Sequence, residues 1–181
     1  MSTITKDAMV IAFLKIAAHK PIDNITVKDI VTTCGIARQT FYYHFQDILE
    51  VIEYALQQQG EILLQKTLDA PTLKDALRIF VSTLDDKPEI INRFLQTHKY
   101  DQVRQLLLSA VKTYFQNLIY LRNVLPDLTQ SQIDIVVTFY SSAIIGTLME
   151  YSEKKNVDLD TLTNDLYDLL CGKYIPDIEN K

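Results

Sequence analysis

Three polar side chains, Arg38, Gln39 and Thr40, follow one another at the start of a short predicted helix. Each suits a base edge in the DNA major groove. Arg can bind guanine through two hydrogen bonds, Gln can bind adenine in the same way, and Thr can contact the methyl group of thymine. We therefore expect this helix to read bases; the alternative is an ordinary polar helix exposed to solvent.

Tyr42, Tyr43 and His44 complete the same short helix. Their hydroxyl and imidazole groups can reach DNA phosphates, and such contacts fix the position of a protein on the duplex without reading its sequence. For either tyrosine, packing against the first helix of the chain is the alternative. The prediction is a helix that reads bases near its N-terminus and contacts phosphates further along.

The segment before this helix has the start and stop signals of another short helix. Thr26 and Asp29 have the spacing of a capping box, which satisfies free amides at a helix start. Gly35 can supply the left-handed residue that commonly follows a last helical turn. Phe41 and Phe45 are four residues apart, so both can anchor the second helix on one side. Together these features predict a helix-turn-helix, which places its second helix in the major groove.

Helix signals continue through the rest of the chain. Start and stop signals divide the sequence into about nine helices, one of them opening near Pro88 and ending near His98. Only 4 Gly and 5 Pro occur, and no period of two indicates a strand. We expect an all-α protein in which a three-helix head, residues 1–47, binds DNA. Residues 48–181 would form a larger helical body.

Composition excludes several classes of function. The net charge of −5 argues against a general nucleic-acid coat, and residues 1–50 are neutral while the remainder carries the negative charge. His19, His44 and His98 share no metal-ligand spacing, so we expect no metal. The sequence has no Gly-rich phosphate loop and no GxSxG or HExxH motif, so we expect neither an enzyme nor a cofactor.

The sequence also lacks the patterns of a signal peptide and of a membrane helix. The N-terminus lacks the basic and then apolar pattern of a signal peptide. No apolar run approaches the roughly 18 residues of a membrane helix. We therefore expect a cytoplasmic protein with no membrane partner.

Aromatic residues of the body have two interpretations. Most aromatic stripes on helices belong to a core, but several tyrosines in one body need partners for their hydroxyls. A pocket between helices would supply such partners or present the hydroxyls to a ligand. Phe80, Tyr114 and Tyr140 are the residues that we expect to line such a pocket.

The last two helices have wide apolar faces with small residues among them, which would let another helix come close. We expect them to form a four-helix dimer interface, and burial within one chain is the alternative. The residues assigned to that interface are Ala143, Ile144, Gly146, Thr147, Leu148, Tyr151, Leu162, Leu166 and Leu169.

The stretch ITVKDIVTTCGIARQTFYYHFQD resembles the signature of a known family of bacterial transcription regulators, the TetR family. That signature reads T-v-x-x-I-a-x-x-a-G-v-s-x-x-t-f-Y-x-H-F, and the resemblance covers residues 5–56. It implies a homodimeric, all-helical regulator of the repressor type that binds double-stranded operator DNA. A small-molecule effector or a protein coregulator of the body would modulate that binding. The short body and the segment IIGTLMEYSEKK resemble the subgroup that includes regulators of dihydroxyacetone kinase operons.

The resemblance also assigns roles to individual residues. Thr26 and Lys28 would lie near the DNA backbone, and Arg38, Gln39, Thr40, Tyr42 and Tyr43 would face the DNA, with His44 at the end of the recognition helix.

The chain departs from the family pattern at two positions, and the second of them, together with the near-neutral head, motivates a second hypothesis. Ala37 stands where the family often has Ser, so the recognition helix loses an N-cap that is typically worth about 1 kcal/mol. Ile48 stands where the family often has a Lys that contacts phosphate, and fewer such contacts predict weaker, less salt-sensitive binding. The chain would then be an interaction module whose body binds a protein coregulator, with weak or partner-dependent DNA binding.

Overall fold

The computed structural model describes residues 2–86, 90, 93–94, 97–152 and 158–174, and within these ranges the fold is all-α. Eight helices are described, and a 3₁₀ turn, Ile22–Asn24, follows the first of them. The helix predicted from Pro88 to His98 lies mostly outside the described residues. In chain order the helices are α1 (Ser2–Ala17), α2 (Val27–Cys34), α3 (Arg38–His44), α4 (Ile48–Leu68), α5 (Leu73–Asp86), α6 (Tyr100–Arg122), α7 (Gln130–Ser152) and α8 (Leu159–Leu170).

The first core is that of the head, where α1, α2 and α3 pack together with the start of α4. Phe13, Ile30, Phe41 and Ile52 each come from a different one of these helices, and each is fully buried or nearly so. Removing one of the two phenylalanines would cost about 3–5 kcal/mol, since a cavity adds to the lost burial. Aromatic and aliphatic packing therefore holds the short helices α2 and α3 in place.

The long helix α4 belongs to both halves of the molecule. Asp47 caps it by accepting a hydrogen bond from the Glu50 amide at 3.1 Å. Its first two turns contribute Val51 and Ala55 to the core of the head, whereas Leu64 lies in the core of the body. The packed core of the head thus extends past residue 47, where the sequence pattern suggested a boundary, into a helix that continues without a break.

The second core is that of the body. α4 packs along α6, α5 packs against α8, and α6 packs against α7. The buried side chains that join these helices are Leu64, Leu77, Phe80, Val81, Tyr114, Ile144, Leu162 and Leu166.

An arginine at the end of α6 completes the C-terminus of α4. The Arg122 guanidinium donates to the carbonyl oxygens of Thr67, Leu68 and Ala70 at 2.6, 2.8 and 2.8 Å. The last carbonyls of a helix have no partner within the helix, and a basic side chain can supply one. The far end of α4 is therefore tied to α6.

The helix α7 is apolar over most of its length. Gln130–Tyr151 is long and apolar enough to cross a membrane by length and composition alone, with a mean hydropathy of 1.4. Polar residues are scattered among its apolar ones, so the segment contains no long unbroken apolar run. Within the described residues 24% of its apolar window is buried, and α7 packs on α6.

Candidate nucleic-acid interface

The helix before the turn has the cap that its sequence predicts. Asp29 accepts a hydrogen bond from the Thr26 amide at 2.8 Å, while Thr26 Oγ1 accepts one from the Asp29 amide at 3.2 Å. The Lys20 ammonium group lies 2.7 Å from the same carboxylate. This Lys20 contact, with the hydrogen bonds from Thr26, lowers the pKa of Asp29 from 3.8 to about 2.

The turn between α2 and α3 also follows its sequence. Gly35 adopts the left-handed conformation with φ of 68°, which side chains rarely tolerate. α3 then begins at Arg38 and ends at His44, the bounds expected for it. Ala37 gives this helix no side-chain cap, as the departure from the family pattern implied.

Two phenylalanines compensate for the missing cap of α3. Phe41 is fully buried and Phe45 is nearly so, and their ring centroids lie 6.0 Å apart. Helices this short are not stable alone in water, so packing must hold them. The inward side of α3 is anchored, and its other side is left to solvent.

The polar residues predicted to contact DNA lie on that outer side of α3. Arg38 and Gln39 are exposed, and the side chains of Tyr42 and Tyr43 are 49% and 82% exposed. Thr40 and His44 are half-buried. Tyr43 is the more exposed of the two tyrosines, and neither is buried against the first helix.

Internal contacts organise four of these side chains into two pairs. Arg38 Nη2 donates to the Tyr42 hydroxyl at 3.1 Å, and its guanidinium carbon lies 5.6 Å from the centre of the Tyr42 ring. The Tyr43 and His44 rings meet edge to face with their centres 4.8 Å apart. The exposed side of α3 therefore presents partly ordered groups.

Three further residues flank this surface. Thr26 and Lys28 are both exposed at the start of α2, although the Thr26 side chain is also engaged in the capping box. Ile48, in the first turn of α4, is half-buried and packs on the core of the head. The position where the family often offers a lysine to phosphate is thus an apolar contact within this chain.

Sequence patterns did not predict a hydrogen-bonded contact between the head and the body. Asp23, in the 3₁₀ turn, accepts hydrogen bonds from Thr97 Oγ1 at 2.7 Å and from the His98 amide at 2.9 Å. These bonds, the His98 amide first, lower the pKa of Asp23 from its ordinary value. Val103 of α6 also lies in the core of the head. No local spacing signals a contact between residues so far apart along the chain.

The three residues predicted to line a pocket do not all meet. The rings of Phe80 and Tyr114 are 5.4 Å apart in the core of the body, and the Tyr114 hydroxyl donates to Thr67 Oγ1 at 3.0 Å. Burial raises the pKa of Tyr114. Tyr140 instead lies on the exposed side of α7, where its ring contacts Phe139 with centroids 5.4 Å apart.

The residues predicted to form a dimer interface fall into three groups. Ile144, Leu162 and Leu166 are buried within the single chain, in the core of the body. Thr147 and Tyr151 are half-buried, and the side chain of Leu148 lies outside the described residues. The exposed members are Ala143, Gly146 and Leu169.

The apolar side of α7 that remains open is rotated from the predicted one. Ile135 and Phe139 are 67% and 66% exposed, and Ala143 and Gly146 continue the same stripe. The spacing of Ile135 and Phe139, four residues apart, could have identified it. Apolar residues lie on several sides of this helix, so their spacing does not show which side the chain itself covers.

Metal ligands do not cluster in the part of the chain that the structure describes. Within it, no group of three or more His, Cys, Asp or Glu side chains could hold a metal ion. The exposed chemistry of the head is therefore that of α3 and its flanks.

Comparisons with known proteins agree with this arrangement. Residues 12–55 match the model of the bacterial regulatory proteins of the tetR family. No curated protein matches the sequence. The matched family and the structural neighbours are transcription regulators, not enzymes.

Solved structures share the fold over almost the whole chain. The dihydroxyacetone kinase operon activator DhaS is 20% identical with a TM-score of 0.68, covering 94% of this chain and 96% of that one. Lin0861 from Listeria innocua is 14% identical with a TM-score of 0.72, covering 93% and 92%. Thermus thermophilus FadR, a repressor solved with lauroyl-CoA, is 12% identical with a TM-score of 0.68, covering 97% and 98%.

Proposed function

We propose that this chain, which carries a tetR-family N-terminal domain on the fold of solved regulators of that family, is a sequence-specific DNA-binding repressor. The observation that carries the proposal is the outer side of α3. Phe41 holds the helix against the head, while Arg38, Gln39, Tyr42 and Tyr43 remain exposed on the other side. Such a helix fits the major groove, with its N-terminal residues on base edges.

The individual contacts follow from where each side chain lies. Arg38, Gln39 and Thr40 would read bases, because they occupy the first turn of α3. Tyr42, Tyr43 and His44 would contact phosphates, joined by Thr26 and Lys28 at the start of α2. Residues 1–47 would thus act as the DNA-binding domain and residues 48–181 as the regulatory and dimerisation domain, with α4 joining their cores.

A dimer would supply the second recognition helix. The open stripe of α7, which contains Ile135, Phe139, Ala143 and Gly146, is apolar and includes small residues that allow close helix packing. Leu169 of α8 would extend it. Two heads in a symmetric dimer would read a near-palindromic operator whose half-sites lie about 34–36 Å apart, or somewhat more.

An effector of the body would control the DNA affinity by a population shift. FadR, which shares this fold, was solved with lauroyl-CoA, so the fold can accommodate a small molecule. The effector must bind the state with mismatched heads more tightly than the DNA-competent state, since equal affinity shifts nothing. The aromatic cluster around Phe80 and Tyr114 is the region of the body that we assign to it.

Selection of bound sequences from a random pool of duplex DNA tests the proposal. The purified protein should enrich one near-palindromic sequence, and Arg38→Ala should lose the preference at one base position of that sequence. A purified protein that enriches no sequence, even at low ionic strength, would overturn it. Placing the selected site between a promoter and a reporter gene then tests the sign: expression should fall when the protein is present and rise for an activator such as DhaS.

A second candidate function rests on the inward packing of Ile48 and the neutral charge of residues 1–50. Both reduce the attraction to phosphates, so a protein coregulator of the body could be needed for DNA binding. A gel shift with the purified protein alone separates the two candidates. Tight, sequence-specific binding without additions contradicts the second. Either function operates on DNA in the cytoplasm.

A further inference from the structure

Arg38 occupies a position that stability alone would not favour. It stands in the first turn of α3, where the helix dipole disfavours a cation, and the preceding Ala37 provides no cap. Among the described residues Arg38 forms no ion pair. A cation in the first turn of a helix, with no acidic partner, breaks a local rule of helix stability, and such breaks are expected at functional sites.

The partner that Arg38 does have is Tyr42, one helical turn further along. The guanidinium donates to the Tyr42 oxygen at 3.1 Å, and its carbon lies 5.6 Å from the centre of the ring. The Tyr42 ring is itself held edge-on by the buried Phe41, with their centroids 5.5 Å apart. A flexible arginine is thereby connected to the anchored core of the head through a rigid aromatic ring.

We propose that Tyr42 is a positioning residue for Arg38, so that the two side chains act as one unit and Tyr42 contributes to base specificity. This inference rests on the proposed DNA-binding function. The Tyr42 oxygen accepts from Arg38, so the hydroxyl proton stays free to donate to a phosphate. One tyrosine can then hold the guanidinium and donate a hydrogen bond to the DNA backbone at the same time.

Preorganisation is the physical reason for an effect on specificity. A free arginine side chain loses rotamer freedom when it docks on a guanine, and a side chain that is already held loses less. A guanidinium held in one place also reaches one base edge better than the edges of the neighbouring bases. A tyrosine that contacted only phosphate would affect every DNA sequence alike.

Affinities of four variants for matched DNA sites test the inference. Four DNA sites are compared. One is the sequence selected by the wild type, and the other three each differ from it by one base, at the position where Arg38→Ala relaxes the base preference. Tyr42→Phe keeps the ring and removes the hydroxyl, and it should reduce discrimination at that position about 2- to 10-fold. In the Arg38→Ala background, Tyr42→Phe should change only the overall affinity, because a coupled pair is not additive.

Tyr43→Phe is the matched control. Tyr43 is the neighbouring exposed tyrosine, and its ring contacts His44 instead of an arginine. Its loss of a hydroxyl should lower the affinity for all four sites equally. If Tyr42→Phe behaves like Tyr43→Phe, with uniform loss at every base, the positioning role is wrong while the proposed function stands. A wild type that selects no sequence overturns both.

A measurement on the free protein gives a second, DNA-independent result. Nitrogen relaxation of the Arg38 side chain should report a more restricted Nε–H in the wild type than in Tyr42→Phe. Thermal unfolding of Arg38→Ala should show no loss of stability, which separates a recognition role from a structural one. Equal mobility of the arginine in both proteins would contradict the inference.

Discussion

Asp23 and Thr97 are joined by a hydrogen bond of 2.7 Å although 74 residues separate them in the sequence. The same carboxylate accepts a bond from the His98 amide at 2.9 Å, so a turn of the head holds the chain just before α6. Asp23→Ala removes both acceptors. We expect faster hydrogen exchange at the His98 amide, measured by NMR or mass spectrometry, with little change in the amides of α5.

Asp127→Ala is the control for that experiment, because it removes an exposed carboxylate from the loop between α6 and α7. Exchange at His98 should stay at the wild-type rate in this variant. An unchanged rate in Asp23→Ala would show that the contact between head and body does not depend on this carboxylate.

Acid should weaken the cap of α2 only at very low pH. The Lys20 contact and the bonds from Thr26 lower the pKa of Asp29 from 3.8 to about 2. A carboxylate with a lowered pKa contributes stability that is full above the unfolded value and is lost as pH falls through the folded one. The difference in unfolding free energy between wild type and Asp29→Asn should therefore be constant above about pH 4 and shrink between pH 4 and pH 2. A difference that vanishes already near pH 5 would contradict this cap.

Arg38→Ala should remove discrimination at one base position of the operator. A bidentate contact to guanine is worth about 1–3 kcal/mol, and binding to sequences without that guanine should hardly change. Lys28→Ala is the comparison. A phosphate contact should weaken binding to all sequences and reduce the slope of log affinity against log salt by about 1. Equal losses on every sequence for Arg38→Ala would remove its base-reading role.

The buried hydroxyl of Tyr114 should contribute to the stability of the body. It donates to Thr67 Oγ1 at 3.0 Å, and Thr67 in turn donates to the carbonyl of Leu64. Tyr114→Phe should lower the free energy of unfolding by about 1 kcal/mol, the usual worth of one such bond. Tyr120→Phe, at a side chain that is 83% exposed, should change little, and urea denaturation compares the two.

A side chain added at Gly146 should separate a dimer without disturbing its protomers. Among the described residues a Cβ at this position would meet nothing within 4 Å, so Gly146→Leu should leave the monomer folded. If α7 packs closely on its copy, the leucine forces the helices apart and sedimentation should report monomers. Gly60→Leu on α4, where a Cβ also meets nothing within 4 Å, should leave the assembly state unchanged. A dimer that survives Gly146→Leu would place the interface elsewhere.

Local signals in the sequence predicted the head well. The capping box of Thr26 and Asp29, the left-handed Gly35 and the buried Phe41 each depend on neighbours within a few residues. Rules for helix starts and ends operate over that range, so α3 begins and ends where its sequence indicated. The exposed side of the helix could also be predicted, because the two phenylalanines assign the other side to the core.

The parts that the sequence did not predict depend on which surfaces meet in space. Ile144 and Leu162 were expected at a dimer interface, but they lie in the core of one chain, whereas Phe139 is exposed. Apolar spacing shows that a face will be covered, and it does not show whether the cover is the same chain or another. The bonds of Arg122 to the end of α4 were missed for the same reason.

The uncapped start of α3 makes the surface that we propose to read DNA dependent on the rest of the head. Seven residues are too few to form a stable helix in water, so a synthetic peptide with this sequence would be disordered. The proposed recognition of DNA therefore depends on an intact head. Warming that unpacks Phe41 from the core of the head would abolish that recognition, whatever the state of the helices of the body.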